Sequence, residues 1–311
     1  MSDPALEIRG CTSREELEEV VSLCDAAFPK TSREYFARHV LKDRTLAPAD
    51  TRILVKDRNI VSSVQVFPRT MYCRGEKIGF GGIGNVATLP SEREKGYAGS
   101  VLRDALEYIR DKKLPVSLLT TTINPYYEKF GFQTIRRHVV QTEFPRAGEQ
   151  PGVRTFDRDR DLDRVIRLYN RFNVQFVGTL VRDVEYWDSQ LEFCDEDKSL
   201  FYVHETEGEL RGFIRAIKKP DHVQVLEYGF AGNQQGTLPG LFEHLAWGAG
   251  ERRLKMFASD TERPYLSFGN GDSVSADTDM MVSIIDPGLN PEVRDTLRRD
   301  YNLTFWLTDF F

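Results

Sequence analysis

Apolar residues recur along the chain with spacings that predict both helices and strands. In residues 97–111 the apolar positions fall on one face of a helix, at Val101, Leu102, Ala105, Leu106 and Ile109. The apolar run over residues 77–89 predicts a strand, which Pro90 ends because proline has no N–H to give to a sheet. The next segments are predicted as a strand, a short helix and a strand, over residues 115–122, 125–130 and 132–140. This order predicts two parallel strands joined by a crossover helix.

A helix and a hairpin each occur twice in the sequence, which indicates an internal repeat. Residues 8–25 resemble residues 153–170 at an offset of 145, and each segment predicts a short strand, a polar N-cap and an amphipathic helix. Residues 53–67 and 201–217 each predict two strands joined by a polar turn. The agreement of both pairs predicts two copies of one α/β unit.

A polar segment separates the two copies. Residues 143–152 carry proline, glycine and charge, as linkers between domains do. A chain of 311 residues is long enough to bury two cores. We therefore expect an α+β fold with two mixed-sheet domains in tandem, at residues 1–148 and 149–311.

Composition and charge narrow the class of protein. The hydrophobic content of 40% and the charged content of 29% are typical of globular proteins, and no apolar run reaches the length of a membrane span. The first ten residues lack the features of a signal peptide, and the four cysteines are scattered, so we expect a cytoplasmic protein with reduced thiols. The net charge of −6 argues against a nucleic-acid partner. The five histidines show no metal-ligand spacing, so we expect no metal.

A hexapeptide between a predicted strand and a predicted helix is the strongest local signal. Residues 93–98, REKGYA, form an R-x-x-G-x-A pattern. At a helix start, unpaired backbone N–H groups and the helix dipole favour an anion such as a diphosphate. Gly96 would let the backbone approach a phosphate without a Cβ in the way. Alone, the pattern also fits an ordinary surface turn that begins a helix.

A tyrosine falls at the corresponding place after the next predicted strand. Tyr127 lies in residues 124–132, NPYYEKFGF. Both motifs fall at the same end of adjacent parallel strands, where α/β sheets bind their ligands. A phenolic O–H at this place could protonate a leaving group. The alternative is an aromatic side chain that only packs the short helix.

The strand GNVATLP, the turn REKGYA, the helix after it and the later YYEKFGF resemble the GNAT superfamily of acyl-CoA N-acyltransferases. Residues 77–135 are most similar to the enhanced-intracellular-survival (Eis) family, which combines an active GNAT domain with a second, degenerate one. The chain departs from that family because it has no room for a third, sterol-carrier-like domain. The resemblance implies two GNAT-like domains and an N-acyltransferase, expected to be an acetyltransferase with acetyl-CoA as co-substrate.

The resemblance also implies where the cofactor lies. Backbone groups of Val86, Ala87 and Thr88 would pair with the pantetheine arm as an added strand would. Gly81 and Gly82, in the same strand, would mark a bulge that opens the sheet. The diphosphate would be held by the turn and the helix start, at Arg93, Glu94, Lys95, Gly96, Tyr97, Ala98 and Gly99.

The resemblance further implies direct transfer to an amine acceptor, either a small molecule or a peptide. Asn124 would lie near the far end of the cofactor, and Tyr127 would act as general acid. No residue is marked as the base that takes the proton of the amine, since the nearby acids are typical of solvated surface positions. In the resembled family the C-terminal carboxylate can act as base, which makes Phe311 a candidate. The alternative is that the aromatic C-terminal segment only fills the second core.

The second copy lacks the features that bind a cofactor. Residues 227–247 contain no R-x-x-G-x-A pattern, and Pro239 stands where the helix should begin. We expect this domain to have lost cofactor binding and to complete the substrate cleft. The alternative function for the whole chain is a non-catalytic module that binds acyl-CoA as a sensor.

Overall fold

The computed structural model of the chain describes residues 6–144, 147–193, 200–232, 236–266 and 270–309. The elements of the first half are β1 (Leu6–Gly10), α1 (Arg14–Ala27), α2 (Arg33–Leu41), β2 (Thr51–Lys56), β3 (Asn59–Cys73), β4 (Glu76–Thr88), α3 (Tyr97–Asp111), β5 (Val116–Thr120), α4 (Asn124–Glu128), β6 (Gln133–Thr134) and β7 (Arg137–Glu143). Those of the second half are β8 (Val153–Thr155), α5 (Arg158–Asn173), α6 (Val184–Phe193), β9 (Phe201–Thr206), β10 (Glu209–Lys218), β11 (Val223–Phe230), α7 (Thr237–Ala249), β12 (Arg253–Ala258), β13 (Asn270–Asp277), β14 (Met280–Ile284) and α8 (Pro291–Arg298). In the described part of the chain, no helix is long and apolar enough to cross a membrane.

The strands form two mixed sheets of seven strands each. The first has the order β1-β2-β3-β4-β5-β14-β6, and the second, read from its other edge, has the order β8-β9-β10-β11-β12-β7-β13. In each sheet the fourth and fifth strands are parallel, β4 with β5 and β11 with β12, and their neighbours are antiparallel. The predicted fold class, α+β with two mixed sheets, is confirmed.

The two sheets exchange one strand each. β14, from the second half of the chain, lies between β5 and β6, where Val282 opposes Leu118. β7, from the first half, lies between β12 and β13, where Val140 opposes Met256. The predicted domain boundary after residue 148 falls between β7 and β8, so each sheet contains one strand from beyond that boundary.

The predicted strand over residues 132–140 is wrong as a single element, because its two ends lie in different sheets. β6 ends at Thr134 and β7 begins at Arg137. Between them, the backbone N–H of Ile135 donates to the carbonyl oxygen of Met280 at 2.9 Å. The buried guanidinium of Arg137 then pairs with Asp277 of β13 at 2.7 Å. The first contact keeps Ile135 on β14 of the first sheet, and the second holds Arg137 in the second sheet, so the chain crosses between the sheets at these residues.

Local sequence signals explain the repeated elements. α1 and α5 follow Ser13 and Asp157, whose side chains each accept a hydrogen bond from a backbone N–H of the first helical turn. The hairpins β2–β3 and β9–β10 turn at residues 57–58 and 207–208, which all have positive φ, as type I′ turns require. The same hairpin geometry therefore recurs in both halves.

Helices cover both faces of the first sheet. The five apolar residues predicted for one face of α3 are all buried, and they pack against β2, β3 and β4. α1 and α2 pack on the opposite face, because Ile53 joins their cluster while its neighbour Leu54 joins that of α3. Both faces of the first sheet are therefore covered by helices.

A buried polar cluster connects the two halves. The guanidinium of Arg182 donates to Glu227 at 2.6 Å and pairs with Asp309 at 2.7 Å, and all three side chains are buried. The hydroxyl of Tyr186 donates to the same carboxylate of Asp309 at 2.9 Å. On the other side of Tyr186, the guanidinium of Arg69, in β3, lies 5.1 Å from the ring centre. The cluster thus connects the turn at Leu307–Asp309 to β3 of the first sheet.

Candidate active site

β4 and β5 pair over only part of their length. Their parallel register runs from Phe80 opposite Val116 to Ile83 opposite Leu119, and ends there. β4 continues to Thr88, so the two strands diverge toward their carboxyl ends. An extended ligand can bind at such an edge by adding to the sheet through backbone hydrogen bonds.

A β-bulge in β4 lies at this opening. The register with β3 shifts between Ser63 and Gln65, so that Asn85 and Val86 together take the place of one residue. Asn85 has a φ of 47°, a left-handed conformation that asparagine tolerates better than most residues. Its side-chain amide donates to Gln65 Oε1 at 2.6 Å. The bulge is therefore held by a side-chain hydrogen bond as well as by the backbone.

Gly81 and Gly82, predicted to mark this bulge, stand instead in regular pairing with β3 and β5. That prediction is wrong, and the structure gives Gly81 another role. A Cβ built on Gly81 would lie 2.5 Å from Cγ1 of Ile109, in α3. The glycine lets the helix lie close to the strand, as glycine does where two segments approach closely.

The turn after β4 ends in an uncapped helix N-terminus. Glu94 and Gly96 have positive φ, at 64° and 80°, and Gly96 is the N-cap of α3. Among the described residues, no side chain caps this helix. The first backbone N–H groups, on residues 97–99, therefore have neither a side-chain cap nor an acceptor within the helix. A Cβ on Gly96 would meet no atom within 4 Å, so the space in front of the turn is open.

The two cations of the turn contact neighbouring protein groups. Arg93 donates through Nη2 to the carbonyl oxygen of Ala27, at the end of α1, at 2.9 Å. Lys95 pairs with Glu92 at 2.9 Å, and Lys56 of β2 pairs with the same carboxylate at 3.0 Å. These contacts fix the turn to α1 and β2, while the helix amides face the open space.

Tyr127 lies in α4, just beyond the carboxyl end of β5. Only 7% of the residue is exposed, and its ring packs edge-on against those of Tyr126 and Phe132, with centres 5.0 and 6.1 Å away. Burial raises the pKa of the Tyr127 phenol to about 12. The group therefore keeps its proton at neutral pH, as a general acid must.

Of the two remaining predicted site residues, Asn124 and Phe311, the structure describes only Asn124. Asn124 donates through Nδ2 to Thr134 Oγ1 at 2.7 Å and to the carbonyl oxygen of Thr278 at 2.8 Å. Its amide thus ties α4 to β6 and to the turn that precedes β14. Phe311 lies outside the described residues, of which Asp309 is the last.

The sequence of residues 7–135 identifies the family of this region. Residues 7–135 match the model of the family described as acetyltransferase (GNAT) domain. They form a GNAT domain. The diverging strands, the bulge, the uncapped helix and Tyr127 all lie within these residues, and no curated protein sequence matches the chain.

Solved structures share the fold across nearly the whole chain. A probable N-acyltransferase from Enterococcus faecalis V583 matches with a TM-score of 0.71 at 18% identity, over 90% of this chain and 73% of that one. Eis1 from Mycobacterium abscessus matches with a TM-score of 0.68 at 14% identity, over 91% and 74%. The N-myristoyltransferase of Saccharomyces cerevisiae, solved with bound myristoyl-CoA, matches with a TM-score of 0.59 at 14% identity, over 98% and 92%. At these identities the likeness is one of fold.

The second sheet has a similar divergence, and the chain itself occupies it. β11 and β12 pair only from Val223 to Gln224, and β11 then carries its own register shift. Trp306 stacks edge-on against Tyr228 of β11 at 5.0 Å, and Thr304 donates to Glu262 Oε2, in the loop after β12, at 2.7 Å. The C-terminal segment therefore contacts β11 and the loop that follows β12, at the place that stays open in the first sheet.

Sequence reasoning missed two features of the site. The bulge residue Asn85 follows a glycine in a strand, and asparagine there is a signal for positive φ. The hydroxyl of Tyr126 is buried beside α3 and has no hydrogen-bond partner among the described residues, which no sequence pattern indicates. Within the described ranges, no group of three or more His, Cys, Asp or Glu side chains could hold a metal ion.

Proposed function

We propose that the chain is an N-acyltransferase that transfers an acetyl group from acetyl-CoA to a primary amine. One observation supports the proposal: β4 and β5 stop pairing before their carboxyl ends, and the elements that follow them are α3, with its uncapped start, and α4, which carries Tyr127. An extended arm, a diphosphate and a leaving thiolate each need one of these three features. The match to an acetyltransferase family supports acetyl as the transferred group.

In the proposed complex the cofactor adds to the open edge of β4. The backbone groups of Val86, Ala87 and Thr88 pair with the pantetheine arm, and the bulge turns one of their N–H groups toward the thioester carbonyl. The amides of residues 97–99 and the adjoining turn hold the diphosphate. No metal takes part, because backbone amides and the helix dipole supply the positive potential.

The reaction is a direct transfer. The amine nitrogen attacks the thioester carbon, and a backbone N–H of the bulge stabilises the oxyanion, a contact worth about 3 kcal/mol in comparable sites. The new C–N bond forms, the C–S bond breaks, and Tyr127 gives its proton to the departing thiolate. A base must take the proton that the amine loses, and the carboxylate of Phe311 is the candidate.

The role of the terminal carboxylate can be tested by moving it. A chain extended by one glycine after Phe311 displaces the carboxylate by a residue, and we expect its kcat to fall roughly 100-fold because proton removal slows. Phe311→Ala keeps the carboxylate and is the control, expected to retain activity within a few fold. Thiol release at saturating acetyl-CoA measures both variants. Equal activity of the extended and wild-type chains would rule the carboxylate out as base.

The proposed function is tested by thiol release from acetyl-CoA with panels of amines, including aminoglycosides, polyamines and peptides. We expect at least one amine to release coenzyme A at a rate well above hydrolysis. Myristoyl-CoA belongs in the donor panel because a structural relative was solved with it bound. Tight binding of acetyl-CoA in calorimetry, without transfer to any amine, would instead support the sensor function.

A further inference from the structure

Each sheet has two edge strands in the described part of the chain, and β1 differs from the other three. β6 and β8 are short, at 2 and 3 residues. β13 carries two aspartates, Asp272 and Asp277, and no basic residue. Short strands and like charges both keep a sheet edge from pairing with another chain. β1 has neither device, because it is 5 residues long and carries one charge of each sign, Glu7 and Arg9.

The middle residue of β1 directs its backbone polar groups away from β2. The N–H of Cys11, just after β1, donates to the carbonyl oxygen of Thr51 at 2.8 Å, in register with the β1–β2 pairing. In an antiparallel ladder every second residue bonds to the partner strand, so Glu7 and Arg9 bond to β2. Ile8, together with the residues two positions before and after it, therefore turns its N–H and C=O toward the outer edge of the sheet. A second strand can complete this ladder.

The side chains of β1 are self-complementary about Ile8. When two copies of β1 pair antiparallel with Ile8 opposite Ile8, Glu7 of each copy lies opposite Arg9 of the other. These are non-hydrogen-bonded pairs, in which the Cα atoms are about 4.5 Å apart and side chains approach most closely. Opposite charges attract at such a place, whereas like charges repel. One alignment therefore satisfies both the backbone and the charges.

Arg9 is held in place for this contact. Its guanidinium donates two hydrogen bonds to Glu16, in the first turn of α1, at 2.6 and 3.0 Å. Its Nε lies 3.4 Å from Glu7 of the same strand, whose side chain is 64% exposed. A guanidinium has more N–H donors than these contacts use, so Arg9 can bind a carboxylate across the edge without releasing Glu16.

The opposite face of β1 exposes apolar side chains. Ile8 opposes Leu54, which packs against α3, so Leu6 and Ile8 lie on the face that α3 covers. They are nevertheless 52% and 37% exposed. A second copy paired at this edge brings the two side chains against their symmetry mates and removes apolar surface from water.

We infer that the chain forms a two-fold symmetric dimer in which the β1 strands of two copies pair antiparallel, with Ile8 at the axis. The first sheets of the two copies then form one continuous sheet. A ladder of this length is small beside the roughly 1,200 Å² that a stable interface buries, so we expect a weak dimer with a Kd of about 10–100 µM. The inference does not depend on the proposed function, because β2 and β3 separate β1 from β4.

Charge reversal tests the alignment. In Glu7→Arg, and likewise in Arg9→Glu, like charges face each other at both symmetry-related places, so the dimer Kd should rise roughly 10- to 100-fold. An equimolar mixture of the two variants should dimerise as the wild type does, because each chain then meets the opposite charge at both positions. Sedimentation velocity at chain concentrations from about 1 to 500 µM measures each Kd.

Ile8→Pro is an independent variant. Proline suits an edge strand at a position whose N–H faces outward, so the fold is kept while the ladder loses its central donors. We expect this variant to be monomeric over the same concentrations. Arg299→Glu is the matched control, a charge reversal at an exposed arginine that follows α8, and it should dimerise as the wild type does.

Three results would overturn the dimer. One is a wild-type chain that stays monomeric over the whole range. Another is a dimer whose Kd is the same in Glu7→Arg or Ile8→Pro as in the wild type, since β1 would then lie outside the interface. The third is a mixture of the two charge variants that associates no better than either variant alone.

Discussion

Tyr127→Phe is expected to lower kcat about 100- to 10,000-fold, the usual contribution of a general acid. The substitution keeps the ring, which packs against Tyr126 and Phe132, and removes only the proton donor. The affinity for acetyl-CoA should therefore change little. Thiol release under saturating donor and acceptor measures kcat, and calorimetry measures the affinity.

The pH dependence gives a second check on Tyr127. The transfer needs the protonated phenol, so the rate should fall as pH rises through the pKa of Tyr127, which burial raises to about 12. We expect no loss of kcat from this group below the ordinary tyrosine pKa of about 10. Full activity of Tyr127→Phe would assign the proton to another donor, and a fall in rate near neutral pH that only the wild type shows would contradict a raised pKa of Tyr127.

Arg182→Met is expected to destabilise the fold by about 3–5 kcal/mol, the usual consequence of removing one partner of a buried ion pair. The guanidinium is fully buried, bonds to Glu227 and Asp309, and lies 4.1 Å from the ring centre of Tyr169. Its loss leaves buried carboxylate oxygens without that partner and removes its bonds to Thr308 and Asp309. Urea denaturation measures the free energy of unfolding.

An exposed arginine provides the control for Arg182. The side chain of Arg158, at the start of α5, is 54% exposed and pairs with Asp188. Arg158→Met should change the free energy of unfolding by no more than about 1 kcal/mol, since exposed pairs contribute little. If the two variants lose similar stability, the buried cluster contributes no more than a surface pair.

Elements with a strong local pattern could be predicted from the sequence. The limits of α3 match the predicted residues 97–111 because its apolar face and the glycine before it are both visible in the sequence. The hairpins at 53–67 and 201–217 were recognisable because alternation and a polar turn are local features. The repeat of these elements was enough to indicate two mixed sheets.

The sequence could not predict that β7 joins the second sheet and β14 the first. β7 (RHVVQTE) and β14 (MMVSI) are short strands, and neither sequence contains a signal for the sheet that it joins. What places β7 is a set of distant contacts, including the pair of Arg137 with Asp277. Such contacts join residues that are distant in sequence, so local sequence patterns cannot predict them.

The features of the site also fall into two groups: those that one contiguous motif encodes, and those that depend on segments distant in sequence. REKGYA and YYEKFGF are contiguous motifs, and the structure brings both to one edge of the first sheet. The bulge at Asn85 depends on the register between two strands, so the glycine pair pointed to the wrong position. The filling of the second divergence by Trp306 and its neighbours depends on a segment that is distant in sequence from β11.

The exchange of β7 and β14 has a consequence for how the protein is made. A ribosome adds residues from the N-terminus, so the first sheet lacks its sixth strand until residue 284 has emerged, long after its first five strands. The nascent GNAT domain must wait with an open gap between β5 and β6, and a gene cut between the two halves would leave that gap permanently. Such an unpaired strand edge is a template for aggregation while the chain is incomplete.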